Sequence, residues 1–103
     1  MQNQVKEFNQ KYRSLGGLSP ENRILDIQSE LGELSKEVLK STNYGKTKFQ
    51  TTEDFVMEFG DTLYSILCLA NETNIDAKEA LEKVLNKYES RFSKKGTFGS
   101  AEE

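Results

Sequence analysis

The chain has 103 residues, of which 35% are hydrophobic and 30% are charged, and this is enough for one folded domain with a modest core. The formal net charge of −3 argues against a protein that binds nucleic acid through bulk electrostatics. The absence of histidine excludes most catalytic dyads and triads and the Glu-Xaa-Xaa-His ligand sets of di-iron bundles, and with a single cysteine it disfavours a zinc site.

The sequence contains no signal for export or for a membrane location. It has neither an apolar stretch of 18 residues nor the pattern of a signal peptide. The single cysteine, Cys68, lies in an apolar run, which is typical of a small core residue in a reducing compartment. We therefore expect a cytoplasmic protein.

The first part of the chain predicts two helices. Apolar side chains recur at helical spacing over residues 2–14, at Val5, Phe8, Tyr12 and Leu15. Gly16 and Gly17 end this helix. Ser19 as N-cap and Pro20 at the first helical position then predict the start of the second helix. Its apolar residues form one stripe, made up of Ile24, Ile27, Leu31, Leu34 and Val38.

The second part of the chain predicts two more helices after a polar loop over residues 41–50. Thr51 or Thr52 caps the third helix, which is apolar on nearly every face after Asp61 and is therefore expected to be central. It ends at Asn74, and a capping box of Asp76 and Glu79 opens the fourth. Residues 1–95 thus predict a single all-α domain, a four-helix bundle completed by dimerisation, and residues 96–103 predict a flexible tail.

The most informative feature is a motif that occurs twice, as Glu30-Leu-Gly-Glu33 and as Glu58-Phe-Gly-Asp61. Acids at i and i+3 lie on one helix face, so each motif presents two carboxylates in one direction. No lysine or arginine occurs between Phe49 and Ala77, so the third helix cannot neutralise its own acids. The glycines at matched positions predict that the two backbones approach closely and bring the four carboxylates together.

Four carboxylates without imidazole or thiolate form a site for a hard cation. Mg²⁺, or Mn²⁺ as a substitute, prefers oxygen ligands and can assist the hydrolysis of a phosphoanhydride. The competing interpretation is a solvated acidic face, which is the usual meaning of a single Glu-Xaa-Xaa-Glu on a helix. The repeated motif, the paired glycines and the missing basic partners favour the metal site here.

Two basic residues of the fourth helix, Lys87 and Arg91, form a cationic edge that suits phosphate oxygens. They have an equally ordinary explanation, because cations near a helix C-terminus interact favourably with the helix dipole. The residues alone do not decide between the two.

The paired acidic motifs resemble those of the MazG-like, all-α nucleoside triphosphate pyrophosphohydrolases, and the resemblance runs from about Ser19 to Phe92. It implies Mg²⁺-dependent hydrolysis of (d)NTP to (d)NMP and pyrophosphate, in a homodimer or tetramer with sites shared between subunits. By motif match, the metal ligands would be Glu30, Glu33, Glu58 and Asp61. Lys87 and Arg91 would hold the triphosphate. One departure is that Leu85 stands where relatives often have an asparagine two residues before this lysine.

Our interpretation is a house-cleaning nucleotide pyrophosphohydrolase in which Glu33 orients the attacking water or takes its proton. Two alternatives remain at this point. One is a non-catalytic helical module whose acidic groove binds a metal or a basic partner. The other is a purely structural helical dimer, which would explain the apolar third helix but not the acids.

Overall fold

The structure is a computed structural model that describes residues 1–12 and 19–95, and these residues form four α-helices and no strand. The helices are α1 (Gln2–Lys11), α2 (Pro20–Ser41), α3 (Glu53–Glu72) and α4 (Ala77–Lys95). This confirms the predicted all-α class. The predicted stop at Gly16 and Gly17 and the predicted flexible tail at 96–103 lie outside the described residues. Within the described residues, none of the helices is long and apolar enough to cross a membrane.

Side-chain caps determine where three of the helices begin. Ser19 Oγ accepts a hydrogen bond from the Asn22 amide at 3.2 Å, which confirms the predicted start of α2. Thr52 Oγ1 accepts one from the Phe55 amide at 3.0 Å, so Thr52 rather than Thr51 caps α3. Asp76 Oδ1 accepts one from the Glu79 amide at 3.1 Å at the start of α4. The end of α3 comes at Glu72, two residues before the predicted stop.

The central helix is α3, which packs against both α1 and α2. Its buried apolar residues are Leu67, Cys68 and Ala70, and Cys68 is fully buried, as the sequence predicts for a core cysteine. The earlier part of α3 is less covered, because Phe59 remains half-exposed. The backbone of α4 makes few contacts with the other helices.

The apolar stripe of α2 is only partly covered in the single chain, where Ile27 and Leu34 are partly buried. Ile24 is 45% exposed and Leu31 is 47% exposed, whereas Arg23 and Glu37 are each only 8% exposed. The most buried residues of α2 are thus charged, and part of its apolar stripe stays exposed. Leu81, Leu85 and Phe92 of α4 are also about half-exposed. Two apolar helix faces thus remain uncovered by the rest of the described chain.

Candidate metal centre

The two acidic motifs meet because α2 and α3 run antiparallel across their polar faces. Near the start of α2, Arg23 contacts Glu72 at the end of α3. One turn further along α2, Asp26 contacts Ser65 of α3. Another turn of α2 brings Glu30 opposite Asp61. Successive turns of α2 therefore pair with successively earlier turns of α3, and this register sets the position of the acids.

Three of the four predicted metal ligands form one compact group. Glu30, Glu58 and Asp61 each contribute a carboxylate oxygen, and these oxygens all lie within 4.8 Å of one another. Glu30 and Glu58 are partly buried and Asp61 is exposed. We refer to these three residues as the acidic cluster. The spacing is short enough for a single cation to contact all three carboxylates.

The acidic cluster has no basic partner in the described part of the chain, whereas most of the other acids of α2 have one. Three acids of α2 pair with a cation on their own helix. The pairs are Arg23–Asp26 at 3.5 Å, Lys36–Glu33 at 3.5 Å and Lys40–Glu37 at 3.4 Å. Within residues 1–12 and 19–95, no ion pair reaches Glu30, Glu58 or Asp61. The three acids of the cluster therefore lie together without an ion pair in the described part of the chain.

The electrostatics of the acidic cluster favour a bound cation. Partial burial and, after it, the charge of Asp61 raise the pKa of Glu30 above its usual value. The same two causes, in the same order, raise the pKa of Glu58. The charge of Asp61 therefore makes the ionisation of both glutamates harder. Because all donors are carboxylate oxygens, the residues present fit a hard divalent cation such as Mg²⁺ or Mn²⁺.

Glu33 is placed differently from the other predicted ligands. Its side chain is half-exposed and forms an ion pair with Lys36, so the expectation that it has no basic partner on its own face was wrong. The sequence contained the signal, since Lys36 follows it by three residues. Glu33 still lies near the acidic cluster, because its charge contributes to the raised pKa of both Glu30 and Glu58. Its part in catalysis or metal binding remains a prediction.

The explanation given for the two glycines was also wrong. A Cβ atom added to Gly32 or Gly60 would meet no atom within 4 Å, so neither position requires a close approach of the two backbones in this chain. The carboxylates therefore meet without a close approach of the backbones at the two glycines. Gly60 instead lines an open apolar cavity between α1 and α3.

The two predicted phosphate-binding residues do not belong to the acidic cluster. Lys87 and Arg91 lie on α4, whose backbone has few contacts with α2 and α3. The Lys87 ammonium lies 5.6 Å from the ring centroid of Tyr88, in a cation–π arrangement. The fold of one chain therefore presents the acidic cluster and the basic edge of α4 on separate elements.

Comparison with known proteins assigns this helical arrangement to a family. Residues 18–95 match the MazG nucleotide pyrophosphohydrolase domain, which covers most of the chain. The chain belongs to this family. The resemblance carried by the two acidic motifs is thereby confirmed, and the protein is a nucleotide pyrophosphohydrolase. An enzyme is favoured over the non-catalytic and purely structural alternatives.

Individual relatives agree with this assignment. The uncharacterized protein YpjD of Bacillus subtilis strain 168 is 37% identical over 79 residues, which are 74% of this chain and 69% of YpjD. The crystal structure of the Bacillus-conserved MazG protein, a nucleotide pyrophosphohydrolase, superposes with a TM-score of 0.71 and 32% identity. That match covers 85% of this chain and 84% of the other. The crystal structure of YPJD from Bacillus subtilis matches with a TM-score of 0.69 at 32% identity, over 84% of this chain and 89% of YPJD.

Proposed function

We propose that this MazG domain hydrolyses (d)NTP to (d)NMP and pyrophosphate with Mg²⁺, for which Mn²⁺ can substitute, and that it serves a house-cleaning role in the nucleotide pool. The observation that carries the metal assignment is the acidic cluster, whose three carboxylates lie within 4.8 Å of one another without a basic partner in the described part of the chain. Glu33 completes the proposed ligand set.

Each residue has a defined part in this proposal. The divalent cation, when bound, supplies Lewis-acid polarisation of the phosphate chain. Glu30, Glu58 and Asp61 hold it, while Glu33 orients the attacking water or takes its proton. Glu33 can leave Lys36 and turn towards the bound cation at little cost, because an exposed ion pair of this kind contributes at most about 1 kcal/mol to stability. Lys87 and Arg91 bind phosphate oxygens, and the planar guanidinium can do so with two hydrogen bonds.

The products of the reaction test the proposed chemistry. The sequence has no histidine, so a covalent phosphohistidine intermediate cannot form. We therefore expect direct hydrolysis to a monophosphate and pyrophosphate. Nucleotides should be tested one at a time with Mg²⁺, and the products separated by ion-exchange chromatography or ³¹P NMR. A parallel incubation with EDTA is the control. Release of orthophosphate and a diphosphate would contradict the proposal.

The uncovered apolar faces predict that the chain assembles with copies of itself. Half-exposed Ile24 and Leu31 on α2, with Leu85 and Phe92 on α4, leave more apolar surface open than a stable monomer usually shows. We therefore expect a homodimer or tetramer at micromolar concentration, measured by light scattering after size-exclusion chromatography. A monomeric mass would contradict this prediction. Self-association is also the simplest way to bring the basic edge of one α4 towards an acidic cluster, as sites shared between subunits require.

A further inference from the structure

A buried arginine joins α2 to α3 beside the acidic cluster. Arg23 is only 8% exposed although it carries a full charge. Its guanidinium donates from two nitrogens to the Glu72 carboxylate of α3, with Nη2 2.9 Å from Oε2 and Nε 3.3 Å from the same oxygen. A buried charge needs close partners of this kind, because leaving it alone in the interior is costly. The contact fixes one end of the α2–α3 interface.

A second contact connects this arginine to the turn that precedes the acidic cluster. Arg23 Nη1 lies 3.5 Å from Asp26 Oδ2 on its own helix. The same oxygen of Asp26 accepts a hydrogen bond from Ser65 Oγ of α3 at 2.7 Å, and Ser65 is only 3% exposed. Asp26 precedes Glu30 by one helical turn, and Ser65 follows Asp61 by one turn. The contacts thus cross between the two helices twice, once at Asp26 and Ser65 on the layer next to the acids and once further along the interface at Arg23 and Glu72.

The polar contacts matter because the most deeply buried residues of α2 are charged. The buried residues of α2 are Arg23 and Glu37, and none of the apolar residues of this helix is buried. The acidic cluster lies in the next layer along the two helices. Directional polar contacts between α2 and α3 select one register of the helices, which nonspecific apolar contact does less well.

We propose that Arg23, Asp26, Ser65 and Glu72 form a clamp that holds α2 and α3 in the register and spacing at which the acidic cluster binds a divalent cation. They are positioning residues, since they act through Glu30 and Asp61 and contact no substrate. The inference rests on the proposed metal-binding function. It adds residues that lie outside both acidic motifs.

Ser65→Ala is the most direct test, because it removes the donor to Asp26 and leaves the helix and the side-chain volume almost unchanged. We expect the affinity for Mn²⁺ to fall by about tenfold or more, which is the usual effect of losing a residue that orients metal ligands. The affinity is measured by titrating Mn²⁺ and following the electron paramagnetic resonance signal of the free ion. In assays, the Mg²⁺ concentration for half-maximal activity should rise, while kcat at saturating Mg²⁺ stays near the parent value.

Arg23→Lys provides a second variant that keeps the charge but loses the two-nitrogen contact with Glu72, and it should weaken Mn²⁺ binding in the same way. Gln2→Ala is the matched control. It removes polar contacts of α1 instead of α2: Gln2 Nε2 donates to Asn71 Oδ1 at 3.0 Å and to the Ile75 carbonyl at 2.6 Å, and Gln2 Oε1 accepts from the Ala77 amide at 2.8 Å. Its Mn²⁺ affinity should stay within about twofold of the parent, because distant sites act independently.

The outcomes separate this inference from the function on which it rests. A parent protein that binds no Mn²⁺ would overturn the metal site itself. A parent that binds Mn²⁺, with Ser65→Ala folded by circular dichroism and equal to it in affinity, would overturn the clamp alone. Lower kcat in Ser65→Ala with an unchanged half-activating Mg²⁺ concentration would also overturn it, since that is the result of a purely structural defect. If Arg23→Lys does not fold, Ser65→Ala decides.

Discussion

Asp61→Asn should abolish hydrolysis while leaving the metal-free protein as stable as the parent or slightly more so. A bound cation contributes several kcal/mol of transition-state stabilisation, so losing it corresponds to a fall in rate of at least about a thousandfold. Stability should not fall, because asparagine keeps the shape of the side chain and removes one of three crowded charges. The charge of Asp61 raises the pKa of both Glu30 and Glu58, so its removal relieves repulsion in the folded state.

Thermal melts with EDTA and with Mn²⁺ measure the metal-binding part of this prediction. Binding to the native state stabilises the parent by about 2.7 kcal/mol at a metal concentration one hundred times Kd. In a domain of this size, that corresponds to an increase in Tm of about 10 °C. The rise should be much smaller in Asp61→Asn. Equal shifts in both proteins would mean that Asp61 is not a ligand. If neither protein shows a shift and both keep their activity, the acids form an ordinary solvated face and not a metal site.

Asp54→Asn is the matched control for this experiment. Asp54 is also an aspartate of α3, so the same substitution can be made there. It lies in the first turn of the helix and outside the acidic cluster. Its loss should leave the Mn²⁺-dependent rise in Tm intact and change the rate by no more than about threefold. A loss of activity in this control would show that general negative charge on α3, and not the acidic cluster, supports the reaction.

Arg91→Ala should raise KM for the nucleotide or lower kcat by at least about tenfold, without changing the helix content. A charge-assisted contact to a phosphate contributes roughly 1.5–3 kcal/mol, which is about one to two orders of magnitude in kcat/KM. Steady-state kinetics and circular dichroism provide the measurement. The metal-dependent rise in Tm should be the same as in the parent, because Arg91 is not a proposed metal ligand.

Lys78→Ala is the control for Arg91→Ala. It removes a positive charge from the same helix, near its start and on a different face. Its kinetics should match those of the parent. If Arg91→Ala also has unchanged kinetics, then Lys87 and Arg91 are ordinary surface charges near a helix C-terminus and the phosphate-binding assignment is wrong.

The local parts of the fold could be predicted from the sequence because they depend on neighbours along the chain. Ser19, Thr52 and Asp76 each accept a hydrogen bond from an amide three residues later, and that interaction needs no tertiary contact. The helical class follows in the same way from apolar periodicity. The position of Glu58 and Asp61 on one face of α3 is likewise fixed by helical geometry. The metal hypothesis depended on these local facts, together with the absence of basic residues around that motif.

Only the tertiary structure decided which acids come together and which face of α2 is buried. Glu33 pairs with Lys36 within one turn of its own helix, whereas Glu30 has no ion pair in the described part of the chain and lies close to Asp61 of α3. Arg23 and Glu72 lie 49 residues apart and meet only because the helices are antiparallel in one particular register. The most buried residues of α2 are the charged Arg23 and Glu37, which the apolar periodicity of the helix does not indicate. The physical reason is that the energy of a buried ion pair depends on the position of its partner, and no pattern within one helix contains that information.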